Sequence, residues 1–270
     1  MFNFVLEIQT KSTNMKRNIG IYFLLSLLAF GIFSCSSHQY TIQKCDYQSV
    51  KIDNQYDAVP DAEVVSFLAP YKAKVDSLMS PVVGKVATDM DSDRPESKLS
   101  NLLADILIWA GKKFDEKPVV SIYNMGGIRA SLSAGDVTIG DVIDVAPFEN
   151  KICFMTLSGA QLTVLFQQIA ARGGEGVNHA VKAVISKDNK LVSLMVNGEP
   201  VDPDAEYRIA TIDYLADGND GMPELKNGTD RKMLKEDRNN LRFVIMDYFR
   251  ENMNAGKVVD AQVEGRITIE

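Results

Sequence analysis

Apolar and polar positions along this chain fall into short segments whose period changes from one to the next. The run DAEVVSFLAPYKAKVDSLMS places Val64, Val65, Leu68, Tyr71, Val75, Leu78 and Met79 at helical spacing, with Asp61 as a cap and Pro70 as a point of bending or division. PVVGKVATDM reads as a strand with a break at Gly84. In SKLSNLLADILIWAGKKF, Leu99, Leu102, Leu103, Ile106, Leu107 and Trp109 form one helical face, capped by Ser97 or Ser100 and ending near Gly111 and Lys112. PVVSIYN is apolar almost throughout, the pattern of a strand covered on both faces. A turn, a short element IRASL, a second turn SAGD and an alternation through VTIGDVIDVAPF follow. KICFMTLSG then reads as a strand and GAQLTVLFQQIAARGG as an amphipathic helix with a glycine stop. VKAVIS, LVSLMV and YRIATIDYL read as strands, the first two close enough to form a hairpin. DRNNLRFVIMDYFREN is a helix and GRITI a short last strand, while one further strand is expected around YQSVKI.

No repeat or low-complexity tract divides this array, so it predicts one mixed domain over residues 63–270. Helices and strands alternate too irregularly for a doubly wound sheet, and the expected class is α+β, with mixed α/β layers.

Residues 1–34 require a different reading. Lys16 and Arg17 after Met15 precede the apolar run IGIYFLLSLLAFGIFS, which is short for a membrane span and ends at Cys35, Ser36 and Ser37. This resembles a bacterial lipoprotein signal, with translation starting at Met15 and Cys35 becoming the lipidated first residue. An ordinary secretory signal beside an incidental cysteine is the alternative. On the first reading residues 35–62 are a tether, and the protein sits in the cell envelope, lipid-anchored on the periplasmic or outer-surface side.

The formal net charge is −7, and residues 1–34 hold more cations than anions, so the remainder is more acidic still. That balance disfavours binding to a nucleic-acid polymer while leaving room for a small anion at a local arginine. With Cys35 lipidated, only Cys45 and Cys153 remain, and Cys153 lies in an alternating run typical of a sheet core. His38 and His179 are the only histidines, too few for the ligand set of a two-metal phosphoesterase. No GxSxG elbow, zinc motif, calcium loop, P-loop or dinucleotide fingerprint is present.

Three segments carry usable chemistry. In NMGGIRA, Gly126 and Gly127 permit a tight turn and close ligand approach, and Arg129 offers either a fork of donors to a phosphate or a surface ion pair. In APFEN, Phe148 is a core side chain by default or an aromatic wall for a planar base, with Asn150 beside it as donor and acceptor. In IDYLADGNDG, Tyr214 offers a second aromatic plane, and Asp220 could orient it or bind ligand hydroxyls.

Taken in order, YKAKVDSLMSPVVGKVATDM, ESKLSNLLADIL, NMGGIRASLSAGDVTIGDV, APFENKICFMTLSGAQL, VNGEPVDPDAEYRIAT and DYLADGNDG resemble the carboxy-terminal domain of bacterial 5'-nucleotidases, a group that includes UDP-sugar hydrolases. The resemblance spans about residues 63–269. It implies a pocket for the nucleoside part of the substrate, with Phe148 and Tyr214 as stacking aromatics and Asn150 as the base-binding asparagine. Arg129 matches the arginine of the glycine turn, Gly176 the glycine before the third binding loop, and Asp220 the aspartate of the last loop. Arg94 falls near a family arginine close to the phosphate, one residue short in spacing. Glu149 stands where glycine is common, adding bulk and charge between two pocket residues.

In that family a separate amino-terminal calcineurin-like domain holds two divalent metals and cleaves the phosphate ester. No segment here matches it. The resemblance therefore implies a nucleotide-recognition domain or subunit of a split 5'-nucleotidase, without catalytic residues or cofactors of its own and completed by a separate metallophosphatase. The alternative is a noncatalytic binding or scaffold lipoprotein that keeps the fold alone.

Overall fold

A computed structural model describes residues 44–51, 53 and 60–270. Residues 1–34, where a signal is expected, lie outside the described residues, as do Cys35 and His38. The chain divides into two units, Met1–Pro60 and Asp61–Glu270. In the first, the described residues form neither helix nor strand. The strand expected at YQSVKI is absent over 47–51, where Tyr47 is 92% exposed and no neighbouring strand supplies hydrogen bonds. Cys45 is exposed and Cys153, in the second unit, is buried; both are free thiols.

The second unit begins with α1 (Ala62–Met79), whose Asp61 cap accepts from the amides of Glu63 and Val64. Pro70 does not divide it, because the helix is exposed throughout and water can serve the carbonyl that the proline leaves without a donor. Strand β1 (Val82–Val86) passes through Gly84 without breaking, and the irregularity becomes a register shift against β3 (Gly135–Thr138). A Cβ at Gly84 would lie 2.8 Å from the Phe249 ring, so the glycine is there for packing. Helix α2 (Lys98–Gly111) opens on a reciprocal Ser97–Ser100 capping box and buries ten residues. The alternation through VTIGDVIDVAPF is not one strand: Thr138 and Asp141 cap each other, and the chain turns into α3 (Ile139–Val145).

The central sheet has the order β10 (Thr229–Lys232), β4 (Ile152–Ser158), β9 (Glu206–Ile212), β2 (Val120–Tyr123), β5 (Gly176–Val177). Every residue of β2 is buried, as its unbroken apolar run requires. A second sheet joins β6 (Val181–Ile185) and β7 (Leu191–Val196) as a hairpin, flanked by β8 (Glu199–Pro200) and by the last strand β11 (Ile267–Ile269). Helices α2 and α4 (Gly159–Ala171) pack on the central sheet, and α6 (Leu241–Asn254) packs on α2 and β1. The short strands β5, β8 and β10 carry no sequence period, since two to four residues are too few to show one.

This topology decides where a site can form. Strands β2 and β9 run parallel, with Ser121 beside Ala210, so their carboxyl ends lie together. Strand β4 is antiparallel to β9, with Ile152 opposite Ile212, which brings the loop before β4 to the same end. Strand β5 is antiparallel to β2, with Gly176 opposite Tyr123, and adds a fourth segment there. Ligand sites favour this end of an open sheet, where loops converge on a rigid base.

Candidate functional site

At that end a cavity of about 440 Å³ is lined by Asn124, Gly126, Gly127, Arg129, Phe148, Asn150, Tyr214 and Asp220. Its size falls within the range of small-molecule sites. Its walls come from the turn after β2, the loop between α3 and β4, and the short helix α5 (Asp213–Ala216) with the loop beyond it. Five residues singled out in the sequence, Arg129, Phe148, Asn150, Tyr214 and Asp220, thus meet in one place.

Phe148 is not a core residue. It is 48% exposed and Tyr214 is 41% exposed, whereas Phe114, Tyr123, Phe154, Phe166 and Phe249 are buried. Among the described residues neither ring contacts another aromatic ring, and both line the cavity. The backbone carbonyl of Asn150 accepts from the Leu241 amide at 2.9 Å, clipping this loop to the start of α6. The Asn150 side chain makes no hydrogen bond and faces the cavity with both donor and acceptor free. Glu149 does not intrude: its carboxylate lies 2.9 Å from the Arg242 guanidinium and is absent from the cavity wall.

Asp220 organises the opposite wall. Its Oδ1 accepts from the Tyr214 hydroxyl at 3.1 Å and its Oδ2 from Asn124 Nδ2 at 2.7 Å. Each oxygen keeps a lone pair for a ligand donor. The Asp220 carboxylate raises the Tyr214 phenol above its ordinary pKa, first through this hydrogen bond and then through its charge. Asp220 is left-handed at φ 52° and Gly221 follows at φ 68°, a conformation that Asn, Asp and Gly tolerate best. Because a carboxylate only accepts, the Asn124 nitrogen must face Asp220, and its Oδ1 is then buried without a partner at the cavity wall. A Cβ on Gly127 would stand 2.7 Å from that oxygen, which explains the second glycine of the turn.

The two candidate arginines differ in freedom. Arg129 is exposed, and its one hydrogen bond among the described residues is a 3.3 Å contact to the Gly126 carbonyl. It lines both the main cavity and an adjoining one of about 450 Å³ that contains Ser92, Asp93 and Arg94. Arg94 is already committed: it donates to the Gly174 carbonyl at 2.8 Å and to Glu175 at 2.6 Å. Gly176 lines neither cavity, and a Cβ there would stand 2.9 Å from the Ser100 carbonyl oxygen and 3.0 Å from that of Tyr123. Its place is in the packing of α2 against the sheet.

Beneath the cavity lies Glu175, 1% exposed and absent from the sequence reading. It accepts from Arg94, from Arg172 at 2.7 Å and from the Met125 amide at 2.5 Å, so it ties the glycine turn to the segment after α4. Its hydrogen bond raises the Arg172 pKa further, and Arg172 in turn lies 3.9 Å from Asp220. Asn124, Arg172 and Glu175 were missed because none belongs to a period. The one usable signal was Asn124, a polar residue ending an apolar strand just before paired glycines. Among the described residues, no group of three or more His, Cys, Asp or Glu side chains could hold a metal ion, and no metal chemistry is derived for this chain.

Comparison with known proteins identifies the family and the fold. Residues 82–227 match the family described as "5'-nucleotidase, C-terminal domain". Protein UshA of Escherichia coli (strain K12) is 28% identical over 185 residues, covering 67% of this chain and 34% of that protein. The 5'-nucleotidase of Vibrio parahaemolyticus is 26% identical, covering 67% and 33%. The chain thus spans about a third of the length of the curated relatives it matches. The crystal structure of a 5'-nucleotidase precursor from Thermus thermophilus superposes with a TM-score of 0.66 at 27% identity, over 79% of this chain and 44% of that one. With more than half of its length matched and the fold shared, the chain belongs to the 5'-nucleotidase C-terminal domain family.

Proposed function

We propose that residues 61–270 bind the nucleoside part of a nucleotide, and that a separate metallophosphatase bearing two divalent metals completes hydrolysis to nucleoside and phosphate. The observation that carries this reading is the meeting of two exposed aromatic faces, an uncommitted asparagine, an anchored aspartate and an unpaired arginine around one cavity. Phe148 and Tyr214 hold the base, Asn150 and Asn124 address polar edges, and Asp220 receives ribose hydroxyls. Arg129 reaches the phosphate side, toward the adjoining cavity. Arg94, held by Glu175, stiffens that wall and does not itself grip the ligand. Glu149, which adds bulk and charge where the family commonly has glycine, is paired with Arg242 and is absent from the cavity wall. In this reading Cys35 carries a lipid that holds the domain at the cell envelope.

Calorimetric titration of the full chain with adenosine, AMP, uridine, UMP and UDP-glucose tests the reading. Saturable one-to-one binding of at least one base-containing ligand is expected, with no AMP turnover in manganese or zinc until a metallophosphatase is added. No binding of any ligand at millimolar concentration sinks the pocket assignment. Turnover by the chain alone that is lost on Arg129→Ala substitution sinks the division of labour.

A further inference from the structure

Helix α1 is the one long helix of the described residues that buries none of its side chains. Val64, Leu68, Tyr71, Val75 and Leu78 repeat at alternating steps of four and three residues and are 49–61% exposed, with Phe67 beside them at 66%. At 3.6 residues per turn these six cover roughly a third of the helix circumference, the stripe that a helix presents to an apolar partner. Within the domain the helix is held mainly at its carboxyl end. The Pro81 carbonyl accepts from the Ile139 amide at 3.0 Å, and Met79 lies against Gly140. The stripe along the preceding turns has no cover in residues 61–270, and an apolar surface of this kind on a folded domain marks an interaction site.

Two observations select the occupant. Lys72 and Lys74 stand on opposite edges of the stripe, while Asp76, which pairs with Lys72 at 2.6 Å, lies outside it and Glu63 is confined to the first turn. An apolar groove with a carboxylate rim complements both features. The helix also ends three residues before Val82, where the match to the carboxy-terminal domain begins, so it occupies the side on which such a domain meets whatever comes before it.

We propose that α1 is the docking helix for the separate metallophosphatase chain, its apolar stripe seated in an acid-rimmed groove of that partner. This rests on the reading of the chain as the recognition half of a divided enzyme. An 18-residue helix seated on one face buries on the order of 1,000 Å² in total, the lower end for a specific interface, so the association is reversible and salt-sensitive.

The test uses the full chain in mild detergent, mixed with each secreted metallophosphatase of the source genome that has no substrate domain of its own, and reads mass by light scattering and affinity by calorimetry. A one-to-one complex is expected with one of them. It should weaken at least tenfold in Tyr71→Glu/Val75→Glu and in Lys72→Glu/Lys74→Glu, and with added salt. All four side chains are exposed, so both variants should melt as the parent does. AMP titration of the same variants keeps the two ideas apart: unchanged AMP affinity with lost association is the expected pair of results. The proposal is overturned if no metallophosphatase binds, if α1 mediates a homodimer instead, or if both variants bind the partner as tightly as the parent.

Discussion

At the scale of single residues, the proposed pocket separates side chains that line the cavity from those that hold them in place. Phe148 and Tyr214 are half exposed, so truncating either removes ring area without opening the core. Stacking on one ring contributes roughly 1–3 kcal/mol per base. Phe148→Ala should therefore weaken adenosine and AMP alike, by about five- to a hundredfold, and leave the melting temperature unchanged. Arg129→Ala should behave differently, because a charge-assisted hydrogen bond of about 1.5–3 kcal/mol is made to the phosphate alone. AMP affinity falls by about ten- to a hundredfold while adenosine is untouched. Calorimetry with both ligands reads the contrast, and an Arg129 variant that loses both equally would place this arginine on the base or ribose. The residues that line the cavity are legible as sequence because each sits in a short, unusual constellation: the glycine turn, APFEN and GNDG. Their supports were not. Glu175 gathers two arginines and a backbone amide, two of these three from segments 50 and 81 residues away, and no local pattern reports such a meeting.

At the scale of elements, period and caps place most of the long segments, the exception being the alternation VTIGDVIDVAPF, which turns into α3 after Thr138. Asp61 and Ser97 open α1 and α2 as the caps expected there, and β4, β6, β7 and β9 lie on the runs that alternation marks, although the run YRIATIDYL leaves its strand at Ile212 and turns into α5. What failed were inferences about single breakers. Pro70 and Gly84 were read as interruptions, yet one is tolerated at an exposed helix surface and the other makes room for Phe249. Gly176 shows the same distinction between ligand and packing. It begins β5, where a methyl group would press on carbonyls of both α2 and β2 at about van der Waals limits. Overpacking of this kind costs about 1–3 kcal/mol. Gly176→Ala should lower the thermal midpoint by several degrees, while the folded fraction binds AMP with nearly unchanged affinity. Weakened binding at an unchanged midpoint would return Gly176 to the ligand site.

At the scale of the whole molecule, the cavity is held together by the topology of the central sheet. The turn after β2, the loop before β4 and the segment after β9 are far apart in sequence and share only the end of that sheet. A ligand that touches all three is bound by the native state alone, since unfolding disperses its contacts. Its binding must then add to global stability by an amount set by concentration: about 2.7 kcal/mol at a hundred times the dissociation constant. For a domain of this size each kcal/mol moves the midpoint by roughly 2–4 °C, so saturating nucleotide should raise it by about 5–10 °C. The chain carries a net charge of −7, which repels an anion at long range and makes inorganic phosphate alone a poor substitute for the base contacts. Calorimetric melts of the full chain with AMP, adenosine and phosphate check this. The two base-containing ligands should shift the midpoint and phosphate should not, and Phe148→Ala should melt like the parent while losing from about a third to most of the shift. An equal shift by phosphate would mean that Arg129 and its neighbours form an anion site, with the aromatic walls playing no part in recognition.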